Sequence, residues 1–248
     1  MSEIKSQIPN YEIISNDETN FDFNFKIIII GDSSVGKSCL TLRAAKDSFE
    51  SFYTPTVGYE FCNFNLKIEE KKIKLQIWDT CGQEKFRSLI TNFYHNSSLA
   101  IIVYSIDNLN SYNNIEEWLN QIKELTNPDI KIFLIGNKSD LEDTRKISKE
   151  SAKNFCEERK LDYFTETSAK NGDNVKSTFV YAAYLLMEES IKNNQKNIRN
   201  NNNDNRTNSI ISFNFVEDEP SNIIMDENSS TRNKKKMLLL MLVIDFNF

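Results

Sequence analysis

Glycine is scarce in this chain: six residues among 248, against about 7% in ordinary globular proteins. Histidine occurs once, as His95, and the four cysteines Cys39, Cys62, Cys81 and Cys156 form no CxxC pair. That set cannot assemble a zinc site. Scattered single cysteines and the lack of a signal pattern after Met1 predict a reducing, cytoplasmic setting. Positive charge is not in excess either. Thirty Lys and Arg face 36 Asp and Glu, a formal net charge of −6, which argues against nucleic acid as a partner. Long apolar runs are missing. The longest, Met237–Ile244, is eight residues; as a helix it spans roughly 12 Å against a hydrocarbon core of about 30 Å. No conventional transmembrane helix is expected.

What is present is a 39% hydrophobic composition, enough for one sizeable core with extensions. The six glycines fall into five short polar motifs. Gly31 and Gly36 frame GDSSVGKS, Gly58 follows TPTV, Gly82 lies in DTCGQ, Gly136 precedes NKSD and Gly172 follows SAKN. A protein that keeps glycine only in such places keeps it where the backbone needs it.

Residues 1–22 are polar without sustained period and read as a mostly disordered arm. Phe23–Ile30 (FNFKIIII) is a continuous apolar run suited to a strand buried on both faces. Further strands are predicted at Tyr59–Ile68, Ile73–Trp78, Leu99–Ser105, Ile130–Ile135 and Asp162–Thr165. Helices are predicted near Lys37–Lys46, Lys85–Tyr94, Ile115–Leu125, Lys149–Glu158 and Asn174–Ile191. A polar turn at Glu69–Lys72 joins two of the strands as a hairpin. The alternation that follows predicts an α/β fold with a six-stranded, mostly parallel sheet, one antiparallel edge strand and helices on both faces. From Asn193 the composition changes: nine of the sixteen residues Asn193–Asn208 are Asn, which predicts a flexible tail over 193–248.

Gly31-Asp32-Ser33-Ser34-Val35-Gly36-Lys37-Ser38 fits GxxxxGK[ST] between a strand and a helix. In that context the loop amides curl around a β-phosphate, Lys37 reaches the β- and γ-phosphates, and the Ser38 hydroxyl ligates Mg²⁺. Asp79 ends the next strand but one, in DTCGQ, where a carboxylate holds Mg²⁺ through a water and the Gly82 amide reaches a γ-phosphate. Asn137-Lys138-Ser139-Asp140 follows a later strand. A carboxylate accepts two hydrogen bonds and donates none, so Asp140 matches the adjacent N1–H and 2-amino donors of guanine, which adenine lacks. The stem of Lys138 covers the base plane. Ser168-Ala169-Lys170, at the next strand end, offers a backbone N–H to guanine O6. NKSD alone reads as an ordinary polar loop; its place in the series gives it weight.

Together, GDSSVGKSCL, KLQIWD (Lys74–Asp79), QEKFR (Gln83–Arg87), GNKSDLED and TETSAKN resemble the small GTPases of the Ras superfamily, and most closely the Rab family, over about Phe23–Ile191. The resemblance implies a P-loop NTPase G domain over 23–192, binding GTP or GDP with Mg²⁺ and acting as a slow GTP hydrolase. It adds Cys39 to the nucleotide-binding loop and places Phe49 against the guanine edge, Tyr53 over the phosphates and Thr56 on Mg²⁺. Gln83 would orient the attacking water, with Lys37 and Thr56 completing the catalytic set. Loss of the γ-phosphate would release the loops Asp47–Gly58 and Gly82–Asn92. Phe61, Trp78 and Phe93 correspond to the family's exposed aromatic triad, although each also reads as ordinary core. The implied partners are effectors, an exchange factor and a GTPase-activating protein, with a monomeric G domain and a role in vesicle trafficking on the cytoplasmic face of endomembranes.

Three departures stand out. Cys81 takes the place of the family's usual Ala, and Ala44 that of a bulky aromatic residue. No cysteine lies near Phe248, so the usual C-terminal prenylation is not expected of the chain as written. Lys234–Lys236 and Met237–Ile244 then read in three ways: a lipid-free peripheral membrane contact, an inert end, or a reading frame that missed a cysteine-bearing terminus. The alternative function is a nucleotide-binding interaction module that cycles little.

Overall fold

The structure, a computed structural model, describes residues 8–49, 59–80 and 94–203, with side chains to residue 196. Thirteen of its elements, in chain order, are β1 (Tyr11–Ile13), β2 (Phe23–Ile30), α1 (Lys37–Lys46), β3 (Tyr59–Ile68), β4 (Lys71–Thr80), β5 (Leu99–Ser105), α2 (Leu109–Asn113), α3 (Ile115–Leu125), β6 (Lys131–Asn137), a 3₁₀ turn (Glu142–Thr144), α4 (Lys149–Glu158), β7 (Tyr163–Glu166) and α5 (Val175–Asn203).

The strands form one sheet in the order β1-β3-β4-β2-β5-β6-β7. β2 lies at its centre, parallel to β4 on one side and β5 on the other. β6 and β7 extend the parallel half, and the β3–β4 hairpin is antiparallel. The alternation of β2 explains the two-sided core. Ile27 and Ile29 face a cluster with Leu40 and Ala44 of α1 and Val175, Phe179 and Ala183 of α5. Ile28 and Ile30 face another with Ile115, Trp118 and Ile122 of α3 and Ala152 of α4. All four isoleucines are fully buried, as a strand covered on both faces requires. Ala44 is itself buried in the first cluster, so the small residue is packed there.

The sheet has seven strands rather than six, because the segment read as a disordered arm supplies β1. Tyr11–Ile13 pairs antiparallel with Leu66–Ile68. Three residues are too few to show a periodicity; backbone pairing and charge hold them. Glu18 pairs with Lys72 at 2.6 Å and Asp22 with Lys71 at 2.8 Å, while Lys74 lies 4.7 Å from the Phe21 ring centroid. In each case the lysine partner holds the carboxyl below its usual range.

Two further differences are physical. β4 runs on to Thr80, since its ten-residue ladder with β3 outlasts the apolar pattern; this draws Asp79 into the strand. α5 continues to Asn203, past the expected boundary at 193. Extending an established helix adds one hydrogen bond per residue fixed, which carries it into poor helix formers. The short α2 lies in a polar stretch with no apolar pattern and is held by Asn108, whose side chain accepts from the amides of Asn110 and Ser111. The helix expected at Lys85–Tyr94 lies almost wholly outside the described residues, as does the tail beyond 203. Among the described residues no helix is long and apolar enough to cross a membrane.

Candidate functional site

The C-terminal ends of β2, β4, β6 and β7 carry the motifs found in the sequence, which is where parallel sheets present ligands. β2 ends at Ile30 and the chain enters the loop 31–36, which opens directly into α1. Gly31 has φ +136, and a Cβ there would sit 2.2 Å from the Val103 carbonyl oxygen. Gly36 has φ +96, and its Cβ would meet Asn137 Nδ2 at 2.4 Å. Both positions therefore exclude a side chain. α1 has Gly36 at its N-cap, with no side-chain cap and no acid in its first turn. Such an N-terminus presents backbone N–H groups and the positive end of the helix dipole.

Lys37 is buried, and its ammonium donates to the carbonyl oxygens of Gly31 and Asp32 at 2.9 and 2.8 Å. The side chain spans its own loop, a cation held over a ring of backbone. Ser33 and Ser34 are exposed within the loop, Ser34 in the left-handed region at φ 65. Val35 is buried in the core and Cys39 packs against it.

Asp32 behaves differently from its neighbours. Its carboxylate accepts from Asn114 Nδ2 at 2.7 Å and Trp118 Nε1 at 2.9 Å. Its side chain thus anchors the loop to α3 and leaves ligand contact to its backbone. Asn114 and Trp118 are spaced i,i+4 on one helix face, the one sequence signal that pairs them; the motif reading missed both.

Ser38 donates to Asp79 Oδ2. Asp79 is fully buried, and its other oxygen carries no hydrogen bond. Burial pushes its carboxyl up to about 7, against the Ser38 hydrogen bond and the Lys37 charge, with Glu60 adding to the rise. A buried carboxylate with one unsatisfied oxygen beside a hydroxyl has the chemistry of a divalent-cation site completed by phosphate oxygens and water. Among the described residues no cluster of three His, Cys, Asp or Glu could hold a metal alone, so a cation here depends on the ligand.

Asn137 connects the loops. It is 1% exposed. Its Nδ2 donates to the Val35 carbonyl at 2.8 Å, and its Oδ1 accepts from Thr167 Oγ1 at 3.2 Å and from the Ala169 amide at 3.3 Å. One side chain thereby ties the phosphate-type loop to NKSD and SAK. Lys138 takes a left-handed φ of 64 and is half-buried. Asp140 accepts from Ser168 Oγ at 2.5 Å, and Ser168 Oγ in turn accepts from the Asn171 amide at 3.0 Å. Of the three amides of Ser168-Ala169-Lys170, one of which is expected to serve a base, that of Ala169 already donates to Asn137 through a long hydrogen bond. Lys170 is exposed.

Two arginines outside the motifs brace these loops. Arg43 of α1 donates to the carbonyls of Ala169 and Lys170 at 2.8 and 2.7 Å. Arg145 forks onto Glu166 at 2.7 and 3.0 Å and also holds Glu142; these carboxylates raise its guanidinium pKa still further. Phe49 is half-buried and packs against the core beyond α1.

On the β3–β4 hairpin, Phe61 and Tyr59 are each 46% exposed. Trp78 is half-buried between them, with ring centroids 5.1 and 5.3 Å away. Phe61 is thus more open than Trp78. Tyr53, Thr56, Cys81, Gly82, Gln83 and Phe93, and both expected switch loops apart from residues 47–49, lie outside the described residues.

The sequence matches the family model described as Ras family over residues 26–188. It is 43% identical to GTP-binding protein YPTM2 of Zea mays over 173 residues, 70% of this chain and 82% of that protein. Identity to Ras-related protein RABD2b of Arabidopsis thaliana is 43% over 160 residues, 64% and 79% of the two chains. With Ras-related protein Rab-13 of Bos taurus it is 42% over 180 residues, 71% and 88% of the two.

Proposed function

This chain belongs to the Ras family of small GTPases, in its Rab branch, and on that premise we propose a switch whose slow GTP hydrolysis times the recruitment of effectors in vesicle trafficking. The binding and hydrolysis of GTP come with the family; the residue roles and the rate are our reading. The observation that carries it is the Asn137 side chain, which joins the Val35 carbonyl to the Ala169 amide. It holds the loop after β2 and the loops after β6 and β7 at a fixed separation, at the C-terminal ends of the strands.

In this reading the amides of Gly31–Cys39 hold the α- and β-phosphates. Lys37 exchanges its two carbonyl acceptors for phosphate oxygens and stabilises charge on the transferring group. Asp140 accepts from guanine N1–H and the 2-amino group, and Lys138 covers the base. An amide of SAK serves O6, and Phe49 closes the base edge. Ser38, Asp79 and Thr56 would hold Mg²⁺, which when bound draws charge from the β- and γ-phosphates. The orphaned Asp79 oxygen fits that role. Gln83 orients the attacking water, and Tyr53, Thr56 and Gly82 sense the γ-phosphate.

The expectation of slow turnover is supported by where the described arginines are held. Among the described side chains, Arg43 and Arg145 are committed to carbonyls and carboxylates, and Arg159 to Glu116. With none of these three described arginines left to act as an internal finger, this reading expects an intrinsic rate on the order of 10⁻⁴ to 10⁻² s⁻¹. An activating protein then supplies the missing donor, an exchange factor opens the site, and the aromatic face of Tyr59, Phe61 and Trp78 receives effectors. Single-turnover hydrolysis tests this: Gln83→Leu slows the step while GTP affinity holds. Equal rates for wild type and Gln83→Leu remove Gln83 from catalysis and favour a module that cycles little.

A further inference from the structure

Arg43 is six residues beyond Lys37, outside every motif, yet its guanidinium reaches two carbonyls of the SAK loop. Nε donates to the Ala169 carbonyl at 2.8 Å and Nη2 to the Lys170 carbonyl at 2.7 Å. Nη1 turns back to the Asp47 carbonyl at 2.9 Å, at the C-terminal end of α1. The planar fork thus fixes two consecutive peptide groups of the base loop from the helix that carries Lys37 and Ser38.

Fixing a carbonyl fixes more than the carbonyl. In a trans peptide the N–H of the next residue points opposite to it. Holding Lys170 C=O aims the Asn171 N–H inward, where it donates to Ser168 Oγ at 3.0 Å. The Ser168 hydroxyl in turn donates a hydrogen bond to Asp140 Oδ1 at 2.5 Å. Holding Ala169 C=O likewise aims the Lys170 N–H away from α1. A relay of hydrogen bonds therefore runs from Arg43 through two peptides and a serine to the guanine-reading carboxylate. The Arg43 side chain that starts this relay is 15% exposed.

Resting on the guanine-nucleotide reading above, we propose that Arg43 is a positioning residue for base recognition: it holds the SAK loop and, through Ser168, orients Asp140, so that it sets how long GDP stays bound. It touches neither base nor phosphate. The γ-phosphate end lies beyond its reach, and hydrolysis of GTP already bound does not depend on it.

The experiment is dissociation of fluorescent GDP from the full chain, with single-turnover hydrolysis and thermal melting alongside. Wild-type retention is measured first; a wild type that holds neither GDP nor GTP overturns the functional reading as well, and is seen before any variant is made. Arg43→Ala is expected to speed GDP release about tenfold, the worth of a lost charge-assisted hydrogen bond. Arg43→Lys, with a point charge in place of the fork, is expected to speed it about threefold and remains informative where Arg43→Ala folds poorly. Asp47→Asn weakens the ion pairs to Arg43 and Lys176 but spares the clamp, and leaves release unchanged. Ser168→Ala also speeds release, and the double variant Arg43→Ala with Ser168→Ala is no faster than the faster single, because both cut one relay. Bound-GTP hydrolysis stays at the wild-type rate in Arg43→Ala. Release by folded Arg43→Lys and Arg43→Ala within twofold of wild type, full additivity with Ser168→Ala, or an equal rise in Asp47→Asn would overturn the proposal.

Discussion

Replacing Asp79 by Asn separates the cost of the cation site from its use. In the folded chain this carboxylate is fully buried, one oxygen bonded to Ser38 and the other unsatisfied. Burial lifts its pKa from 3.8 to about 7. The sign follows from which state binds the proton more tightly. An acid whose pKa is raised on folding costs stability once ionised. The cost is absent below about pH 4, grows as the pH rises, and is full above about pH 7. At pH 7 its ceiling is about 4 kcal/mol. The amide of Asn must itself find an acceptor, which reduces the net gain to about 1–2 kcal/mol. For a domain of this size each kcal/mol moves the melting temperature by about 2–4 °C. Nucleotide-free, magnesium-free Asp79→Asn is therefore expected to melt about 2–8 °C above wild type at pH 7, the gap closing toward pH 4. The same variant loses the Mg²⁺-dependent part of GDP affinity. Thermal unfolding followed by circular dichroism, with GDP titrations at two Mg²⁺ concentrations, reads both. A variant less stable than wild type at pH 7, or one that keeps its Mg²⁺ dependence, refutes the argument.

Three other outcomes follow from the same geometry. Asn137→Ala strips partners from the Val35 carbonyl, Thr167 and the Ala169 amide; denaturant melts should show about 2–4 kcal/mol lost, and a loss under 1 kcal/mol contradicts the bridging role. Asp140→Asn should shift preference from guanine to xanthine, since an amide offers a donor to the second keto group; competition between GDP and xanthosine diphosphate measures it, and unchanged preference removes Asp140 from base reading. Full-length chain should sediment with anionic vesicles at low salt more than a chain ending at Asn233, three lysines contributing about 1 kcal/mol each; equal pelleting discards a membrane contact for 234–244.

The legible parts of this molecule were those where chemistry or periodicity concentrates in a few adjacent residues. FNFKIIII reads as a strand buried on both faces, and GDSSVGKS after it fits a phosphate-type loop. Burial of Ile27–Ile30 and the left-handed or crowded backbone at Gly31 and Gly36 bear that out. β1 was not legible, because three residues held by pairing and by Glu18 and Asp22 leave no period to read. Arg43 was hidden for a related reason: it acts on backbone carbonyls 126 and 127 positions away, and no residue type at the far end marks the contact. Asp32 was assigned to the nucleotide by its place in the loop, but its carboxylate turns to Trp118, which sequence spacing cannot reveal.

Displacement of fluorescent GDP from the purified chain by unlabelled nucleotides tests the central claim most directly. GTP and GDP should displace it near stoichiometric concentration in the presence of Mg²⁺, while ATP at millimolar concentration should leave it bound, because adenine offers no pair of donors to Asp140. Displacement by ATP at concentrations comparable to GTP would contradict the account.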